Sequence, residues 1–163
     1  MDRRSNNIAI FQDSMDLIKA NQKLQQAVQF SIQNQKLYVP SQAIALPEPG
    51  KSSCKTIVSS KRSFEAASAY AKAGKRVCVL NFASATNPGG GVTRGSTAQE
   101  ECLCRCSTLY PCLDTKTMWH QFYQPHRKAG DPRYNDDLLY TPEVVVFKTD
   151  TSAPERMEEK DWY

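Results

Sequence analysis

From Ser5 to about Gln35 apolar residues recur at three- and four-residue intervals: Ile8, Phe11, Met15 and Ile18, then Leu24, Val28 and Ile32. That period lines one face of a helix, and Asn21, a good helix-capping residue, divides the run into two helices. The period is then lost. Pro40 to Lys55, with Pro47, Pro49 and Gly50, reads as an irregular connection to a short strand at Thr56-Ile57-Val58. A helix follows from about Ser63 to Ala73, stopped by Gly74, and then a strand from Arg76 to Phe82. Its centre, Val77-Cys78-Val79-Leu80, is apolar without alternation, the pattern of a strand covered on both faces and hence central and parallel.

The loop from Ala83 to Ser96 leaves the carboxyl end of that strand, where open α/β sheets place their ligands. Ser96 with Gln99, or Thr97 with Glu100, has capping-box spacing, which predicts a helix from near Thr97 through Tyr110 with Cys102, Leu103, Cys106, Leu109 and Tyr110 toward the core. A weaker helix at Thr115 to Tyr123, a polar loop around Gly130-Asp131-Pro132 and a strand from Glu143 to Lys148 complete the pattern. Strands alternating with helices predict an α/β fold, with residues 1–36 as an N-terminal helical segment packed on a domain formed by 37–163.

Composition fits one soluble core: 163 residues, 40% hydrophobic and 23% charged. No apolar run of about 18 residues offers a membrane span, and the first seven residues lack the apolar stretch of a signal peptide, so a cytoplasmic protein is expected. The net charge of +4 is uneven, with fourteen Lys and Arg against seven Asp and Glu in 1–110, and seven against ten in 111–163. A basic body favours an anionic ligand, although no dense Lys/Arg stripe with interleaved aromatics points to nucleic acid.

The six cysteines include Cys102, Cys104 and Cys106, alternate residues on the predicted helix. Side chains at that spacing diverge by about 200°, so the three thiols cannot converge on one ion, and they read as small apolar packing groups. His120 and His126 have no ligand spacing with Cys112. Neither a metal nor a cofactor is expected.

The chemistry is concentrated in residues 89–101, Gly-Gly-Gly-Val-Thr-Arg-Gly-Ser-Thr-Ala-Gln-Glu-Glu. Three glycines let the backbone approach a ligand and turn its N–H groups toward an anion. Two carboxylates follow at a helix start. Taken alone, Glu100 could cap that helix, Glu101 could pair with Arg105 one turn on, Asn87-Pro88 could open a turn, and Arg94 could face phosphate or only solvent.

Asn81-Phe82-Ala83-Ser84-Ala85-Thr86-Asn87-Pro88-Gly89-Gly90-Gly91, then Gln99-Glu100-Glu101 and Leu109-Tyr110-Pro111, closely resembles the microbial poly(ADP-ribose) glycohydrolases. The resemblance runs from the N-terminal helices to the strand near 144–148 and is most specific between 76 and 113. It implies a macrodomain-like mixed sheet flanked by helices, with ADP-ribose or poly(ADP-ribose), free or on a modified protein, as ligand at its carboxyl edge. By motif position, Gly89, Gly90, Gly91 and Val92 would wrap the ribose and diphosphate, Asn87 would contact ribose, Gln99 and Glu100 would position loop and hydroxyls, and Glu101 would be the catalytic acid. Family members continue well past the point matched by this chain's end, supplying further strands, a second glycine-rich loop for the diphosphate and an aromatic for adenine. The expected fold is therefore incomplete, and three readings follow: an enzyme, a non-catalytic ADP-ribose-binding module, or a fragment needing a second chain, marked by an exposed sheet edge at 144–148.

Overall fold

In a computed structural model of the chain, which describes residues 2–42, 48, 50 and 54–163, the two N-terminal helices form as the pattern predicts. Helix α1 spans Arg3–Ala20, with Asp2 accepting from the backbone N–H groups of Arg4 and Ser5 at its start. Asn21 ends it and caps the next: its side chain accepts from Lys23 and Leu24, the first turn of α2, Gln22–Asn34. One polar residue out of the helical conformation thus sets both boundaries.

The buried face of α1 differs from the one expected. Asn7, Phe11, Ser14 and Ile18 face inward, while Ile8 is 40% exposed. Polar bonds account for the rotation. Asn7 Nδ2 donates to the carbonyl of Gly95 at 3.0 Å, and Ser14 Oγ donates to that of Arg105 at 2.7 Å. Phe11 enters the same core cluster as Val92, Leu103, Cys104 and Leu109, so α1 and the glycine-rich segment share apolar packing. The buried Lys148 ammonium also reaches α1, donating to Ile10 O at 2.8 Å and Ser14 Oγ at 2.6 Å, beside Asp13 Oδ2 at 2.8 Å.

The hydrogen bond from Arg156, helped by Lys148, holds the Asp13 carboxyl down at about 2, whereas burial pulls Lys148 below the ordinary lysine range. Asp13→Asn leaves that ammonium facing neutral oxygens only. A loss of about 2 kcal/mol is expected, smaller than for a fully enclosed pair because Asp13 is partly in water. A depressed carboxyl stabilises the fold fully above its unfolded value of 3.8 and ceases to do so as pH falls through about 2. Urea midpoints of wild type and Asp13→Asn should therefore differ at pH 7 and converge toward pH 2.

Helix α3, Ser63–Lys72, starts on Asp150, whose Oδ2 accepts from the Phe64 N–H at 3.0 Å, and gives way to Gly74 at φ +70°. Much of the irregular connection expected from Pro40 to Lys55 lies outside the described residues. The strands expected at 56–58 and 76–82 have no strand partner among the described residues: Val58 is 92% and Phe82 74% exposed. The described sheet instead pairs β1, Lys36–Tyr38, antiparallel with β2, Leu138–Tyr140, with Leu37 opposite Leu139. The mixture of helices and strand-like segments holds, in reduced form and with helices dominant.

The long helix expected from Thr97 through Tyr110 is two helices, α4 at Gln99–Cys106 and α5 at Leu109–Leu113. Between them Ser107 is extended and the chain pairs sideways. Phe147 N donates to Cys106 O at 2.9 Å, and Thr108 N to Val145 O at 3.0 Å. Those bonds outcompete continued helix. On the other side of 144–148, Val146 N donates to Tyr163 O at 2.7 Å and Met157 N to Phe147 O at 2.9 Å. The exposed edge considered at 144–148 is consequently absent: Val146, Phe147 and Lys148 are buried between 106–108 and the tail. The expected helix at 115–123 becomes α6, Lys116–Met118, a π-helical turn at Trp119–Tyr123, and α7, Gln124–Ala129.

Candidate active site in the glycine loop

The segment from Asn87 to Ser96 is a succession of tight turns. Gly90 N donates to Asn87 O at 3.0 Å, Val92 N to Gly89 O at 3.0 Å, and Arg94 N to Gly91 O at 2.9 Å. Gly89 and Gly90 take φ of +63° and +60°, which side chains other than glycine rarely adopt. A Cβ on Gly89 would lie 2.8 Å from the Tyr110 ring. The Val92 side chain is fully buried in the core, so Val92 anchors the loop from below.

Helix α4 delivers its first three side chains to the segment from Leu80 to Gly91. Both expected capping boxes are missing, and Ala98 occupies the cap without a side-chain bond. The reason is competition: Gln99, Glu100 and Glu101 serve backbone groups of neighbouring loops. Gln99 Nε2 donates to Leu80 O at 2.7 Å and to Ser63 Oγ at 3.1 Å, while its Oε1 accepts from Phe82 N at 2.9 Å. Bonding the C=O of one residue and the N–H two residues on is what a residue of a parallel strand does. The Gln99 amide thus stands in for a strand neighbour along the segment leading to the loop.

Glu100 Oε2 accepts from Ser84 N at 2.7 Å, and Glu101 Oε1 from Gly91 N at 2.8 Å. Both carboxylates are buried and both converge on Gly90, where a Cβ would stand 2.5 Å from Glu101 Oε1 and 3.2 Å from Glu100 Oε2. Burial raises the pKa of Glu100, opposed by the bond from Ser84 N–H. Glu101 Oε2 is buried without a hydrogen-bond partner among the described residues.

Arg105 does not pair with Glu101. Its guanidinium donates to Ser96 O at 2.7 Å and contacts Cys102 Sγ at 3.3 Å, bracing the loop where it enters α4. Arg94 is exposed, and its carbonyl accepts from Arg4 Nε at 2.7 Å. Cys104, Cys106 and Cys112 are buried, whereas Cys102 is partly open and Cys54 and Cys78 are exposed. His126 is buried, bonded to Phe122 O at 2.8 Å and Asn135 Oδ1 at 3.0 Å.

Asn87, Gly89, Gly90, Gly91, Glu100 and Glu101 are therefore brought together, with Gln99 behind them and Val92 beneath. Residues that motif reading missed include Ser84, which feeds Glu100, and Asn7, which holds Gly95 from α1. A concavity of about 280 Å³ between Lys61, Ser63, Cys102 and Asp150 shares only Gln99 with this cluster, so it is a separate feature.

A loop shaped by glycines around two buried carboxylates defines a class of site suited to acid–base work. The model of the microbial-type PARG (poly(ADP-ribose) glycohydrolase) catalytic domain matches residues 8–149, and the chain belongs to that family. It is similar to poly(ADP-ribose) glycohydrolase from Thermomonospora curvata, at 28% identity and TM-score 0.73 over 96% of this chain and 60% of that one. It is similar also to the same organism's enzyme bound to the inhibitor ADP-HPD, at 28% identity and TM-score 0.67, covering 94% of this chain and 60% of that chain. The chain thus spans about three fifths of the length of these relatives. No curated protein matches.

Proposed function

We propose that the chain carries the catalytic portion of a poly(ADP-ribose) glycohydrolase, a metal-independent site that hydrolyses the ribose–ribose O-glycosidic bond and releases ADP-ribose. The observation that carries this reading is the Glu101 carboxylate, whose Oε1 is fixed beside Gly90 by the Gly91 N–H and whose Oε2 is buried without a hydrogen-bond partner among the described residues. In the reaction, Glu101 Oε2 gives its proton to the departing ribose oxygen as the bond to the anomeric carbon breaks. The resulting carboxylate then takes a proton from the water that attacks that carbon, which restores the acid. The oxocarbenium-like transition state is stabilised by the substrate's own diphosphate, held over the glycine loop, and Glu100 orients the ribose hydroxyls with Asn87.

The substrate is the polymer or a related ADP-ribosyl adduct in the cytoplasm, free or carried on a modified protein. A second reading is an ADP-ribose-binding module without turnover, in which the same loop and carboxylates hold the ligand but move no proton. Two measurements separate the readings. Calorimetric titration with ADP-ribose should give saturable heat in both cases, and release of ADP-ribose from poly(ADP-ribose) occurs only in the first. No heat at millimolar ligand would overturn both.

A further inference from the structure

We infer that Arg127, forty residues from the loop on α7, is a positioning residue that sets which hydrogen-bonding group Asn87 presents to the ligand. This rests on the reading of Asn87 as a ribose contact. The guanidinium Nε donates to Thr86 O at 2.7 Å, and Nη2 donates to Asn87 Oδ1. Its central carbon lies 4.7 Å from the centroid of the Trp119 ring, a cation–π arrangement. That ring is itself fixed, because Trp119 Nε1 donates to Asp114 Oδ1 at 2.7 Å. A relay of Asp114, Trp119 and Arg127 therefore reaches the loop from outside the glycine and carboxylate motif.

A guanidinium offers donors only, so the atom of Asn87 facing it must be the carbonyl oxygen, and the carboxamide cannot turn over. With one lone pair of Oδ1 taken by Arg127 and one Nδ2 hydrogen directed to Thr86 Oγ1 at 3.1 Å, the second N–H and the second lone pair remain for a ligand, in an orientation that Arg127 fixes. Asn87 then points its free N–H at an acceptor such as a ribose hydroxyl oxygen, and the carboxamide cannot flip to present its oxygen at that place. Arg127 also ties down the start of the glycine turn, since the Asn87 carbonyl accepts from Gly90 N.

The test compares wild type, Arg127→Ala, Arg127→Lys, Asn87→Ala and the Asn87→Ala/Arg127→Ala double variant in calorimetric titration with ADP-ribose, with melting temperatures measured alongside. Arg127→Ala and Arg127→Lys should each weaken binding about tenfold, the loss of a charge-assisted bond, because a lysine cannot make both bonds of the fork. The double variant should bind no more weakly than Asn87→Ala alone. Losses that multiply, or recovery of wild-type affinity by Arg127→Lys, would overturn the relay. A second readout needs no ligand: hydrogen exchange at the amides between Thr86 and Gly91 should quicken in Arg127→Ala, and unchanged exchange would refute the proposal. A wild type that does not bind ADP-ribose defeats the functional reading instead, and the exchange experiment still decides the role of Arg127.

Discussion

Glu101→Gln is expected to slow release of ADP-ribose from poly(ADP-ribose) by about three orders of magnitude, within the range that a general acid supplies. Binding of ADP-ribose should survive. The substitution keeps the shape of the side chain, and its amide oxygen can still accept from Gly91 N–H, the bond that holds the loop on α4. What it removes is the carboxyl group proposed to give a proton to the leaving oxygen and then to activate water. It also places an NH2 group where Oε2 has no partner among the described residues, an unfavourable burial of about 1–3 kcal/mol that should lower the melting temperature without unfolding the protein. Single-turnover release, titration and melting curves together separate loss of chemistry from loss of fold. Wild-type release by this variant would sink the assignment of Glu101 as the acid.

The parts of the site legible in the sequence are those written in local chemistry. Asn21 announced both helix ends because a capping side chain acts within three residues of itself. The glycines and the carboxylates were legible because their spacing brings a loop back onto a helix start. Gln99 shows the limit of such reading: the capping-box spacing and the strand-mimicking bonds to Leu80 and Phe82 use the same residue, and only the tertiary position of the 80–82 segment decides between them. Ser107 was missed likewise, since the groups that interrupt the helix there are the distant carbonyl of Val145 and N–H of Phe147. In α1 the apolar period pointed one residue round from the face actually buried. The deciding interactions are the polar bonds of Asn7 and Ser14, which a hydrophobic count cannot register. The 76–82 segment has the composition of a two-faced strand, yet its described neighbours supply a glutamine amide where a strand would stand.

Gly90→Ala tests whether the loop's shape, and not only its acid, is required. At φ +60° an alanine is disfavoured by about 1 kcal/mol, and its Cβ would stand 2.5 Å from Glu101 Oε1 and 3.2 Å from Glu100 Oε2. Neither carboxylate can retreat freely, because each accepts a backbone N–H bond and both are buried. The loop must therefore lift from α4, breaking the Gly91 to Glu101 bond that sets the position of the acid. Displacement of a reacting group by about 1 Å lowers turnover about a hundredfold, and that loss is the expected result. Gly74→Ala is the matched control. It has a similar φ of +70°, but a Cβ there meets nothing within 4 Å among the described residues, so it suffers the backbone penalty alone. Both variants should lose similar stability through φ, while Gly74→Ala keeps wild-type release and ADP-ribose affinity. If Gly90→Ala matches Gly74→Ala in both, the carboxylates are not held by the glycine loop in the working site, and the division of labour between loop and acid is wrong.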